Sequence, residues 1–282
     1  MTARGLCLAI ASWAWIAGGP QQAPTFRTGV EAVRVDVLVS RGGRPVTGLT
    51  AADFELRDEG VVQQIDHAGF EDIPLNVVLA LDASSSVAGA PAEHLRAASH
   101  GLVERLLPED QAALVTFGDA VVVRSSLTRD RTVIREAIDA LVPFGDTSLI
   151  DASHTAMLIG ESQPGRGLVI VFSDGVEVTS YLNARAVLDT AKRSDAVVYG
   201  VSLKTYGPFL KDLTEASGGE LFDIQSPAEL DAAFAKVLDQ FRHRYLVSYT
   251  PRGVTRGGWH RLQVRVKQGG ATVRARPGYL GS

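Results

Sequence analysis

The sequence predicts an α/β protein: a doubly wound, mostly parallel sheet, flanked by a small β-sandwich-like module built from strands at both ends of the chain. Three observations predict it. Four apolar runs of strand length, LNVVLAL, QAALVTF, GLVIVFS and DAVVYGVS, show little alternation. Strands buried on both faces of a parallel sheet look like this. Helical stretches separate these runs, and regular alternation of strand and helix marks a doubly wound sheet. Before and after this block the apolar residues switch to a period of two, the spacing of strands with one covered face.

The elements follow in order. Arg4 forms a short positive start, and Leu6 to Ala17 is an apolar stretch of signal-peptide length, too short to span a bilayer comfortably. Small residues at Ala17, Gly18 and Gly19 then predict cleavage between Ala17 and Ala23, giving a signal peptide over 1–23. The alternative is an uncleaved anchor. Nothing after residue 25 is apolar enough for a transmembrane segment, so the expected location is exported: periplasmic, cell-surface or secreted. Cys7 is the one cysteine and lies inside the apolar stretch. Cleavage would leave neither a disulfide nor a thiolate metal ligand.

An N-terminal β segment is expected over 25–70. Val33, Val35, Val37 and Val39 share one face of a strand, with Arg34, Asp36 and Leu38 on the other. A turn at Asp58-Glu59-Gly60 joins two further short runs. The α/β block is expected over 72–244, with helices near 91–107, 130–141, 149–160, 183–193, 208–217 and 227–244. VVVRSSL follows LVTFGD closely enough to be its antiparallel partner. A C-terminal β segment over 245–282 is expected to pair with 25–70, because neither piece holds enough sheet to be stable alone. Its Leu262, Val264 and Val266 oppose Arg261, Gln263, Arg265 and Lys267.

With 282 residues, 45% hydrophobic and 21% charged, the composition is that of a globular protein. The net charge of −4 makes no case for nucleic acid. The charge is unevenly spread: residues 241–282 carry nine Arg or Lys and no Asp or Glu. The stripe Arg261, Arg265, Lys267, Arg274 and Arg276 reads first as a solvated sheet face, and second as a contact for an anionic envelope surface or the acidic α/β block.

The strand NVVLAL ends in Asp82, Ser84 and Ser86, a D-x-S-x-S pattern. Two readings compete. Ser and Asp are favoured helix N-caps, and a helix follows. Alternatively, one carboxylate and two hydroxyls at alternate positions aim three hard oxygens at one point, as Mg²⁺, Mn²⁺ or Ca²⁺ requires. Strand ends on this edge of an open α/β sheet face the ligand crevice. Two later signals favour the metal. Thr147 stands in a glycine-containing loop before a helix, and Asp174 follows the buried strand VIVFS.

These residues, in this order, resemble the metal-ion-dependent adhesion site of a von Willebrand factor type A domain. The resemblance runs from about Leu75 to residue 244. Softer likeness to bacterial exported proteins with such a domain lies in GLTAADFELRDEG before it and RARPGYL after it. It implies a Rossmann-like fold and one divalent cation, Mg²⁺ first and Mn²⁺ or Ca²⁺ as alternatives, held by Asp82, Ser84, Ser86, Thr147 and Asp174. Of the two aspartates, one would bind directly and the other through water. The family's second loop often carries paired glycines before the threonine. Here it reads Gly145-Asp146-Thr147, and Asp146 adds a carboxylate that favours tighter binding or calcium. The resemblance further implies protein recognition in which a partner's Asp or Glu completes the shell, with movement of the final helix as a linked switch.

Other chemistry finds little support. The six histidines make no zinc spacing, and no G-x-S-x-G elbow, dinucleotide fingerprint or phosphate loop occurs. Asp151 reads as a structural acceptor, and Asp110 and Asp119 as turn residues without special roles. The expectation is a non-enzymatic, metal-dependent binding domain. The alternatives are a metal-dependent hydrolase using Asp82, or a scaffold whose site is vestigial.

Overall fold

The computed structural model describes residues 32–174, 177–203 and 207–281. The signal-peptide stretch and Cys7 lie outside them. Among the described residues, no helix is long and apolar enough to cross a membrane.

Five strands lead into the α/β body: β1 (Val33–Arg41), β2 (Arg44–Pro45), β3 (Phe54–Asp58), β4 (Val61–Gln63) and β5 (Ile65–Gly69). The body contains β6 (Leu75–Asp82), α1 (Ala90–Glu104), β7 (Gln111–Phe117), β8 (Val121–Thr128), α2 (Arg131–Asp139), α3 (Leu149–Gly160), β9 (Arg166–Ser173), α4 (Ala184–Ala191), β10 (Val197–Leu203), α5 (Pro208–Ser217), β11 (Leu221–Ile224) and α6 (Leu230–Arg242). Four strands close the chain: β12 (Arg244–Tyr249), β13 (Gly258–Val266), β14 (Thr272–Arg274) and β15 (Gly278–Gly281).

The central sheet runs β11-β10-β9-β6-β7-β8. All neighbours are parallel except β8, which is antiparallel to β7. Every residue of β6, β7, β9 and β10 is buried, and the reason is visible in alternate side chains. Val77, Leu79 and Leu81 pack under Leu95, Leu102, Phe234 and Phe241 on one face. Val78 and Ala80 pack under Leu149, Ala156, Met157 and Leu213 on the other. Helices cover both faces, so the apolar runs need no alternation. The strand order reverses at β6, between β9 and β7, which puts a crevice at the C-terminal ends of β6 and β9.

The flanking strands form two antiparallel sheets, β14-β1-β12-β5, with β2 beside β1, and β15-β13-β3-β4. N- and C-terminal strands interleave. Val35 lies opposite Val247 and Val37 opposite Tyr245, while β3 pairs with β13. Val35, Val37, Val39, Phe54, Leu56, Tyr245, Val247, Tyr249 and Leu262 belong to one apolar cluster drawn from both sheets. Glu59 (φ 48°) and Gly60 (φ 82°) make the two-residue turn between β3 and β4. Positive φ at both positions suits the right-handed twist of a hairpin.

Polar side chains join the flank to the body. Arg244, fully buried, donates to the Tyr199 hydroxyl (3.1 Å), the Gly218 carbonyl (2.5 Å) and the Asp36 carbonyl (3.2 Å). Its charge is thus spread over neutral acceptors. Asp36 pairs with Arg166. Gly218 caps α5 in the left-handed conformation, and a Cβ there would stand 2.3 Å from the Arg276 amide nitrogen.

Several expectations are corrected. The second face of β1 is covered: Leu38 is buried and Asp36 is ion-paired, because β1 lies against the body. The basic stripe divides. Arg274 pairs with Glu220 (3.1 Å) and Arg276 with Asp195 (2.7 Å), both acidic residues of the body. Arg261 and Arg265 stay exposed. Asp110 is not an idle turn residue. It is buried, accepts from the amides of Leu75 (2.9 Å) and Leu107 (2.7 Å), and pairs with Arg242 at 2.5 Å. Its carboxylate therefore ties the first residue of β6 to the last residue of α6. Trp259 is 40% exposed, with the Lys192 ammonium 5.8 Å from its ring.

Candidate metal centre

Asp82 is the last residue of β6 and is fully buried. Its Oδ1 accepts from the Ser84 amide (2.9 Å), and its Oδ2 accepts from the Ser173 hydroxyl (2.8 Å). The loop then turns outward. Ser84 is buried and Ser86 exposed, with 3.0 Å between their hydroxyl oxygens. The Ser86 hydroxyl donates to Asp174 Oδ1 at 2.8 Å. A hydrogen-bonded chain thus runs from Asp82 through the Ser84 amide, then from the Ser84 hydroxyl to Ser86 and Asp174, from the sheet edge to solvent.

The capping reading fails here. Helix α1 begins at Ala90 with Gly89 as its N-cap, and no side chain caps it. The serines act within their own loop and across to β9.

Thr147 sits in the second loop, buried, immediately before α3. Backbone bonds hold this loop against the first. The Phe144 amide donates to the Ala83 carbonyl (2.7 Å), and the Ser85 amide donates to the Gly145 carbonyl (2.9 Å). The Thr147 carbonyl accepts from Val178 (3.0 Å) and Thr179 (3.2 Å), which binds the third loop as well. Gly145 has φ +79°, and any Cβ there would lie 2.2 Å from the Asp119 carboxyl carbon. The left-handed backbone favours glycine there, and a Cβ would displace the Asp119 carboxylate. Asp119 has a role that its sequence position hid: it accepts from the Asp146 amide at 2.6 Å. Asp146 itself is exposed. Asp151 accepts from the amides of Tyr181 and Leu182, each at 2.9 Å, the structural part expected of it.

Electrostatics make the site short of positive charge. Burial pushes the Asp82 carboxyl upward from its ordinary value. Hydrogen bonds from Ser84 and Ser173 pull it back, and the neighbouring Asp174 carboxylate pushes it up again. Two carboxylates share a site whose partners are hydroxyls and amides. A cation would satisfy them better than protons do. The donors are hard oxygens, two of them anionic, which fits Mg²⁺, Mn²⁺ or Ca²⁺ and suits zinc's nitrogen and sulfur preferences less well. Among the described residues there is no cluster of three or more His, Cys, Asp or Glu. A site built mainly from Ser and Thr hydroxyls needs no such cluster.

Known proteins agree with this fold. Residues 77–177 match the family model of the von Willebrand factor type A domain. A von Willebrand factor type A structure from Catenulispora acidiphila is 14% identical, with a TM-score of 0.55 over 90% of this chain and 75% of that one. Proximal thread matrix protein 1 from the mussel byssus, solved with a zinc-occupied MIDAS motif, is 18% identical with a TM-score of 0.55, covering 65% of this chain and 49% of that one. An uncharacterised protein of Synechocystis is 24% identical over 204 residues, 68% of this chain and 47% of that protein. The chain thus spans about half the length of that relative.

Proposed function

We propose that this is a non-enzymatic, metal-dependent protein-binding domain of an exported protein. Asp82, Ser84, Ser86, Thr147 and Asp174 hold one divalent cation, Mg²⁺ first among the candidates. The observation that carries the reading is the hydrogen-bonded chain from buried Asp82 through Ser84 and Ser86 to Asp174. With three uncharged hydroxyls and only one of the two carboxylates bound directly, the other acting through water, a divalent cation keeps positive charge at the crevice mouth. A divalent cation bound there supplies an electrophilic position for an Asp or Glu of a partner protein. Asp82, fixed by Ser84 and Ser173, orients the inner edge, while Ser86 and Asp174 line the open edge. The domain occupies residues 72–244. The two flanking sheets act as one β-sandwich-like module that carries it, with 25–70 pairing with 245–282.

The test is isothermal calorimetry of Mg²⁺, Mn²⁺ and Ca²⁺ binding to the full chain, the Asp82→Ala and the Asp174→Ala variants. We expect one site in the parent, none with Asp82→Ala and at least tenfold weaker binding with Asp174→Ala. Tenfold corresponds to about 1.4 kcal/mol. Equal affinities in all three chains would overturn the assignment. Protein captured from the native envelope should release with chelator. Retention through chelation, but loss when Arg261, Arg265 and Lys267 are neutralised, would move binding to the basic face.

A further inference from the structure

Large apolar side chains in water are costly and, where clustered, mark contact surfaces. Among the described residues, fifteen large hydrophobics are exposed, and the four most exposed are Tyr181 (97%), Phe144 (74%), Val142 (70%) and Val178 (65%). All four belong to the second and third loops of the candidate metal centre. Backbone bonds fix the places of three of them. Phe144 is bonded to Ala83, between Asp82 and Ser84 in sequence, and Val178 is bonded to the Thr147 carbonyl. The Tyr181 amide is held by Asp151 at the first turn of α3. The same rim carries the exposed carboxylates of Asp119 and Asp146 and no Lys or Arg from residue 130 to 150 except Arg131 and Arg135, which turn to the Leu106 carbonyl and Glu104.

From this we infer that the partner segment is one lone Asp or Glu flanked by large apolar side chains, rather than an acidic run. The inference rests on the metal-binding reading above. The flanking side chains lie on Phe144, Val178 and Tyr181, with Val142 at the margin. This contact removes water from around the carboxylate, and a charge interaction strengthens as water leaves it. Asp119 and Asp146 repel any second acidic residue. One cation and an apolar collar therefore select by what stands beside the carboxylate.

The experiment uses three dye-labelled peptides with one central Asp, flanked by Leu and Phe, by Ser, or by further Asp. Fluorescence polarisation measures their binding to the full chain in Mg²⁺ or Mn²⁺. The apolar-flanked peptide should bind about tenfold tighter than the serine peptide, the gain expected from partly burying one large side chain. The acidic run should bind weakest, and chelator should abolish all binding. A Phe144→Ser, Tyr181→Ser double variant should lower the apolar peptide to the serine level while its calorimetric Mg²⁺ affinity stays unchanged. Three equal affinities, no binding of any peptide to the loaded protein, or an indifferent double variant would overturn the collar and leave the metal site standing. Apolar binding that persists in chelator overturns the coupling of collar to cation. Failure of the protein to bind any cation overturns the underlying reading, and this one with it.

Discussion

Asp58 and Asp82 are both fully buried aspartates, one in the flanking sheets and one at the edge of the central sheet. Asp58 meets rigid aromatic partners. His260 Nδ1 lies 2.9 Å from its Oδ1, and the hydroxyls of Tyr249 and Tyr279 each donate to its Oδ2 at 2.9 Å. His260 also stacks on Tyr279, with 4.7 Å between ring centroids. Asp82 meets a backbone amide, serine hydroxyls and a second carboxylate. The first set is complete without any outside group, and its chain of contacts stays buried. The second chain leads through Ser86 to solvent and lacks positive charge. Burial alone does not separate structure from function; the partners do.

The largest test of this contrast is Asp58→Ala. It strips three buried donors of their acceptor at once, so it should cost about 3–5 kcal/mol, the range for breaking a buried polar pair from one side. Urea denaturation of the full chain measures it. A loss under 1 kcal/mol would mean the cluster is not the joint we describe.

Alkaline pH gives a smaller effect with a defined sign. Burial, with Asp58 adding to it, pushes the Tyr279 hydroxyl up to about 12. An unfolded tyrosine titrates near about 10. The folded chain therefore keeps a proton that the unfolded chain sheds. Stability from this group is full below about pH 10 and is lost as pH rises from about 10 to about 12. Tyr279→Phe should flatten that slope, and an unchanged slope would refute the account.

The smallest effect belongs to Asp82→Asn in the presence of chelator. The carboxyl already resists ionisation, so removing its charge should change stability by less than about 1 kcal/mol, in either direction. A loss of several kcal/mol without metal would make Asp82 a structural group like Asp58.

Much of this was legible in the sequence, and the reasons are local. Unbroken apolar runs announced strands covered on both faces. Residues at strand ends announced a crevice, because chain order fixes which edge they reach. The Asp58 cluster was not legible. Its members lie about 200 positions apart, and only the pairing of β3 with β13 brings Asp58 and His260 together. Arg244 gave no signal either, since an arginine opening an apolar run looks like a solvated end. Phe144 and Tyr181 were passed over because single apolar residues in loops are ordinary; only their shared place around one site sets them apart.

Asp110 has a consequence for how the chain finds its form. Gly69 of β5 and Leu246 of β12 are neighbours in the sheet, although 177 positions separate them (246 − 69). Closing so long a loop in an unfolded chain has an entropic penalty that grows as the logarithm of loop length. The α/β body contains its own nearly local strand order and can form inside that loop. Once it has, Asp110 holds the start of β6 beside the end of α6. The remaining loop shrinks to the few residues on either side of that tie. The central strand β1 has β12 and β14 as its main neighbours, so the flank assembles only after the last strands have been made. A buried carboxylate in a turn thus turns an expensive long-range search into a short one.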